Sequence, residues 1–151
     1  MSVKQALALD RENGNTKWQD AIKTELAQLE EFKVFRKLAK GETLPSTYKQ
    51  IPYHFVFAVK FDLRAKARLV ADGNWTDILK EDVYSGVVGM ETVRMGFTIG
   101  ELNNLQCCAG DVGNAFLNGY TREHVYIVAG PEFGPELEGQ ILILVQSLYG
   151  L

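Results

Sequence analysis

Only two cysteines occur in this chain, and they are neighbours, Cys107 and Cys108. With no residue between them they lack the spacing of a metal site, and they are too few for a disulfide framework. They are expected as reduced thiols packed like small apolar residues, in an intracellular, cytoplasmic setting. The two histidines, His54 and His124, have no partner at ligand or triad spacing and read as ordinary. No apolar run approaches the ~20 residues of a membrane span. The apolar part of Met1 to Asp10 is too short for a secretory signal. No membrane association is therefore expected, and Asn74-Trp75-Thr76 is discounted as a glycosylation acceptor. Basic residues are in no excess: the net charge is −3, so any nucleic-acid binding must rest on a local patch. Internal repeats and low-complexity segments are missing as well.

What remains is an ordinary globular composition, long enough for one domain, or one and a half small lobes, around a real core. Residues 1–15 are polar, end in Glu12-Asn-Gly-Asn15, and read as a loose leader. Thr16-Lys-Trp-Gln19 fits a capping box. Trp18, Ile22, Leu26, Leu29 and Phe32 then form one apolar stripe on a helix over about 17–33, with Lys23, Glu25, Gln28, Glu30 and Glu31 on the wet faces. A short strand over Val34–Leu38 and a Pro45 loop follow. Pro52 precedes a strand over Phe55–Phe61; Asp62–Ala65 turns it, and Lys66–Ala71 returns as its hairpin partner. Val83–Val88 reads as extended, and Glu91–Asn103 as a mostly buried helix. In that helix Gly96 and Gly100 imply a close neighbour, and Asn103-Asn104 a stop. Leu105–Val112 reads as a short buried strand, Val125–Val128 and Ile141–Val145 as two more, separated by the Gly/Pro loop Ala129–Pro135. The fold class is α+β, antiparallel hairpins packed with helices.

Two places could carry chemistry. Asp111 ends the buried run Leu105–Gly110, and an unpaired carboxylate there is costly. It either caps the turn by accepting backbone N–H bonds or meets a hard cation such as Mg²⁺, which favours one or two carboxylates plus substrate phosphates. Lys66 and Arg68 share one face of a strand and cannot neutralise one another. They are either a solvated face or a clamp for a polyanion such as a triphosphate.

Taken in order, these segments resemble the first half of a Ty1/copia-type retrotransposon reverse transcriptase. The resemblance rests on Trp18-Gln-Asp-Ala-Ile22 with Glu25 and Leu29, Phe55-Val-Phe57, Lys66-Ala-Arg-Leu-Val-Ala71 and Val83-Tyr-Ser-Gly-Val-Val88. It continues through Asp111-Val-Gly-Asn-Ala-Phe-Leu-Asn-Gly119, Val125-Tyr-Ile127 and Ser147-Leu-Tyr-Gly-Leu151. It implies a domain over 16–151, with fingers over about 16–88 and a partial palm over about 89–151. It implies that Asp111 is the first catalytic aspartate, holding Mg²⁺ together with the Val112 carbonyl. Gly113, Asn114 and Ala115 would line the incoming dNTP, and Phe116 would exclude a ribose 2′-hydroxyl. Lys66 and Arg68 would approach the triphosphate. The implied partners are a template-primer of RNA or DNA and the remainder of the palm, thumb and ribonuclease H portion of the polyprotein. The family's Tyr-x-Asp-Asp string does not occur in these residues. One carboxylate cannot hold two ions, so the chain alone is expected to lack polymerase activity. A non-catalytic retroelement relic that binds a partner, and an unrelated α+β interaction module, are the competing readings.

Overall fold

The computed structural model describes residues 1–39, 41–73 and 86–151. The chain divides into two compact units, Met1–Asp77 with Asn114–Leu151, and Ile78–Gly113. Both helices and sheets are present, so the α+β class holds.

The expected leader is not loose. Val3–Glu12 is a helix, α1, whose start carries the reciprocal cap: the Gln5 amide N–H donates to Ser2 Oγ at 3.3 Å and the Ser2 N–H to Gln5 Oε1 at 2.7 Å. The second helix, α2 (Lys17–Glu31), begins where expected but is capped differently. Thr16 spends its hydroxyl on Asp20, and the orphan amides of Trp18 and Gln19 donate to the buried Asp10 carboxylate of α1 at 2.9–3.1 Å. A carboxylate at that end also suits the helix dipole. The box expected at Thr16 and Gln19 does not form.

Four strands make one sheet: β1 (Phe35–Lys37), β2 (Lys49–Gln50), β5 (Val125–Val128) and β6 (Ile141–Leu144), in the order β1-β6-β5-β2. The β1–β6 and β5–β6 pairs are antiparallel, and β2–β5 is parallel. A separate hairpin pairs β3 (Tyr53–Val59) with β4 (Ala65–Ala71), placing Phe55 opposite Leu69 and Phe57 opposite Ala67. That face of the hairpin packs on α2, where Trp18 meets Phe57 edge-on at 5.5 Å and Ile22 and Leu29 are buried. One core, including Leu29, Ile51, Leu69, Ile127, Leu142 and Leu148, lies under both sheets. Each such side chain contributes ~1.5–3 kcal/mol on burial.

Tyr53 ties the hairpin to the loop after β5. Its hydroxyl donates to Glu132 Oε1 at 2.5 Å and accepts the Gly130 N–H at 2.8 Å. Burial, then the hydrogen bond and charge of Glu132, hold the phenol's pKa above its ordinary value. His54 pairs with Asp72 at 2.9 Å, and His124 stacks on Tyr48.

In the second unit, α3 (Met90–Leu102) stops at Asn103 and Asn104, the latter at φ 56°. Gly100 is buried, and a Cβ there would lie 3.3 Å from Cys107 Sγ; a Cβ at Gly96 would meet nothing. Burial of α3 does not hold, because Met95, Phe97, Ile99 and Leu102 are more than half exposed. The buried strand expected at Leu105–Val112 does not form either; these residues are exposed and irregular. An apolar run becomes a buried strand only when neighbours pair its amides and cover both faces. No strand pairs with it among the described residues. Cys107 and Cys108 are accordingly free but exposed, not packed as small apolar residues. The extended segment expected at Val83–Val88 falls partly outside the described residues, and Asn74-Trp75-Thr76 wholly so; 86–88 carry no regular structure. Among the described residues no helix is long and apolar enough to cross a membrane.

Candidate functional site

β4 alternates as a half-buried strand must: Ala67, Leu69 and Ala71 are buried, while Lys66, Arg68 and Val70 face the other way. The Arg68 guanidinium lies over the ring of Tyr149, 5.3 Å from its centroid. On the same ring, at 5.7 Å and tilted 45°, rests Phe116. Cation, phenol and phenyl from three distant parts of the sequence thus cluster around one ring.

Local structure explains the placement. The Ala71 N–H donates to the Tyr149 carbonyl at 2.7 Å, and Val70 and Tyr149 form a parallel bridge, so Ser147–Leu151 runs along the open edge of β4. Contact is close enough to require glycine. Gly150 sits at φ +94°, and a Cβ there would lie 2.1 Å from the Ala71 oxygen. Phe116 stands on a 3-10 turn, Ala115–Asn118, pinned by the buried Leu117 and entered through Asn114 in the left-handed region at φ 51°. Asn tolerates that region better than most residues. The Ser147 N–H to Gly119 oxygen bond, 2.7 Å, and the Tyr120–Gln146 bridge lace this turn to the segment carrying Tyr149. Phe116 is 56% exposed, free to meet a ligand.

Beside this cluster, a cavity of about 550 Å³ opens between α2 and the hairpin, lined by Lys66, Asn114, Lys60, Arg64, Lys17 and Glu25 among others. Arg64 is held by Asp62 across the turn. Glu25, expected on a wet face of α2, is buried, and its Oε1 accepts the Leu69 N–H at 3.0 Å. Burial raises its pKa above 4.5; the Leu69 N–H, Lys66 and Arg68 oppose that shift. The Lys66 ammonium is pushed down, first by burial and then by Arg68 and Lys60, with Glu25 acting against them.

Of the expected site residues, Arg68 and Phe116 are joined through Tyr149, and Lys66 shares its cavity with Asn114. Ala115 is the exposed first residue of the 3-10 turn. Asp111, Val112 and Gly113 belong to the other unit and are exposed. The Asp111 carboxylate caps no turn: among the described residues it has no hydrogen bond or ion pair. No group of three His, Cys, Asp or Glu side chains able to hold a metal occurs among them either. That donor set is too small for a pair of Mg²⁺ ions. Two residues of the site were missed in the sequence. Glu25 had a signal: Trp18, Ile22, Glu25 and Leu29 step by 4, 3 and 4, putting Glu25 on the axis of the buried stripe. Tyr149 had only its motif.

A model of the family described as reverse transcriptase (RNA-dependent DNA polymerase) matches residues 36–151. No curated protein and no solved structure matches.

Proposed function

The chain belongs to the reverse transcriptase (RNA-dependent DNA polymerase) family, and we propose that its first unit holds the triphosphate and sugar of an incoming deoxynucleotide. The observation that carries this reading is the Arg68–Tyr149–Phe116 cluster beside the cavity of Lys66 and Asn114. Phosphoryl transfer asks mainly for positioning and charge neutralisation. Lys66 and Arg68 supply the charge for a triphosphate. Phe116 lies under the sugar, where its bulk rejects a 2′-hydroxyl, and the backbone of Asn114 and Ala115 lines the same nucleotide.

The parent element is of the Ty1/copia type in this reading, with fingers over about 16–88 and palm over about 89–151. Asp111 and the Val112 carbonyl are the first ligands of a Mg²⁺ site whose other carboxylates come from outside these 151 residues. The chain therefore binds nucleotide and template-primer but does not turn over alone. Asp111, exposed and in no metal-holding group among the described residues, also favours a second reading, a retroelement relic that binds a partner without chemistry.

Equilibrium titration with a dNTP decides between them. The Lys66→Ala/Arg68→Ala variant is expected to bind at least about tenfold more weakly, since charge-assisted hydrogen bonds are worth roughly 1.5–3 kcal/mol each. Phe116→Ala is expected to narrow the preference for dNTP over the matching ribonucleotide. Equal binding by wild type and the double variant would sink the nucleotide reading and leave the relic.

A further inference from the structure

Of the acidic residues on α2, Glu25 is the buried one, and it reaches 44 residues along the chain to the strand carrying the two cations. We propose that Glu25 is a positioning residue of the polyphosphate site: it fixes β4 through the Leu69 N–H and is the resident counter-ion of Lys66 and Arg68 until phosphates replace it. The counter-ion half rests on the nucleotide reading above.

Leu69 pairs with Phe55 of β3, yet its N–H donates to Glu25 Oε1 at 3.0 Å and not across the hairpin. The carboxylate therefore satisfies a donor on the β4 edge that faces away from β3. Two residues on, the Ala71 N–H on that edge donates to the Tyr149 carbonyl. Glu25 and the Tyr149 segment share the task of closing one edge, and between them they fix the strand from which Lys66 and Arg68 project. A hydroxyl or amide could satisfy the N–H as well as a carboxylate, and would be cheaper to bury. The charge itself has a role only if something nearby needs it. Lys66 and Arg68 lie two residues apart on one strand face, with Lys60 close by, and their mutual repulsion is felt at Lys66. Arg64, on the same cavity wall, already has Asp62. Lys17 and Asp20 line the α2 side. Glu25 is thus a buried carboxylate that feels both cations and offsets part of the repulsion at Lys66. An arriving polyphosphate takes over that neutralisation and meets Glu25 as a like charge, so the carboxylate weakens anion binding while keeping the strand in place.

Titration of the full chain with inorganic tripolyphosphate, followed by calorimetry, with amide exchange read at Leu69, separates these roles. Glu25→Gln keeps an oxygen for the Leu69 N–H and removes the charge. It is expected to bind tripolyphosphate roughly fivefold more tightly, with Leu69 still protected. The gain should shrink in a Lys66→Ala background. Glu25→Ala is expected to lose the Leu69 protection, an effect distinct from the change in affinity. A Glu25→Gln protein that binds no more tightly than wild type, with Leu69 still protected, overturns the counter-ion role. Retained Leu69 protection in Glu25→Ala overturns the positioning role. If wild type and the Lys66→Ala/Arg68→Ala variant bind tripolyphosphate alike, it is the nucleotide reading that fails, and the counter-ion role with it, while the Leu69 exchange data still decide the positioning role.

Discussion

Tyr149 contributes its ring and not its hydroxyl: one cation and one phenyl both meet it. A cation over an exposed ring is worth ~0.5–1 kcal/mol and an aromatic pair ~0.5–1.5 kcal/mol. Tyr149→Ala should therefore weaken dNTP binding about 3- to 10-fold, while Tyr149→Phe stays near wild type in the same titration. Equal losses in both variants would show that the ring is not the working part. Glu25 gives a second measurement at this scale. Its carboxyl sits above 4.5 in the fold, so its ionised form opposes folding. The favourable contribution is complete below the unfolded value and is lost as pH rises through the folded one. Wild-type stability relative to Glu25→Gln should thus rise as pH falls from neutral toward 4.5, as read from urea midpoints. A flat difference would mean the carboxylate is solvated. Glu25 was legible in principle, since the spacing of Trp18, Ile22 and Leu29 runs through it. Its charge argued for solvent, and nothing in the sequence discloses a backbone N–H waiting 44 residues away.

Elements followed local signals closely where the signal was local. The β3–β4 hairpin, β5, β6 and α2 lie within a few residues of where alternation and periodicity put them. Capping was the exception: a Ser/Thr-x-x-Gln pattern stands at the start of both α1 and α2, at Ser2–Gln5 and Thr16–Gln19, and only the first forms the reciprocal bonds. A buried aspartate from the preceding helix outcompeted the second. Asp10→Ala should then cost about 1–2 kcal/mol, as the loss of a good N-cap does, and Asp10→Asn clearly less. Thermal unfolding of the two variants checks this; identical melting points would assign α2's start to some other donor. The strand expected at Leu105–Val112 failed for a non-local reason. Apolar content marks a segment as able to be buried, whereas pairing depends on a neighbour that the segment does not encode.

For the molecule as a whole, the sequence disclosed the order of segments but not their partnership. No periodicity reveals that β2 runs parallel to β5, or that Ser147–Leu151 lies along β4. The apolar side chains of the second unit look like core in the sequence, yet Phe97 and Ile99 are more than half exposed. Phe97→Ser should change stability by no more than ~0.5 kcal/mol, against ~2–5 kcal/mol for Leu69→Ala in the first unit. Denaturant titrations of both variants decide; a large loss at Phe97 would mean that a partner surface covers it in solution. Tyr53, clasped between Glu132 and the Gly130 amide, offers one more use. Its phenol keeps its proton further into alkali than a free tyrosine while hairpin and loop stay joined. One of the chain's six tyrosines is thereby a built-in optical gauge. Late appearance of its phenolate absorbance reports that the clasp is shut, and early appearance that it has sprung.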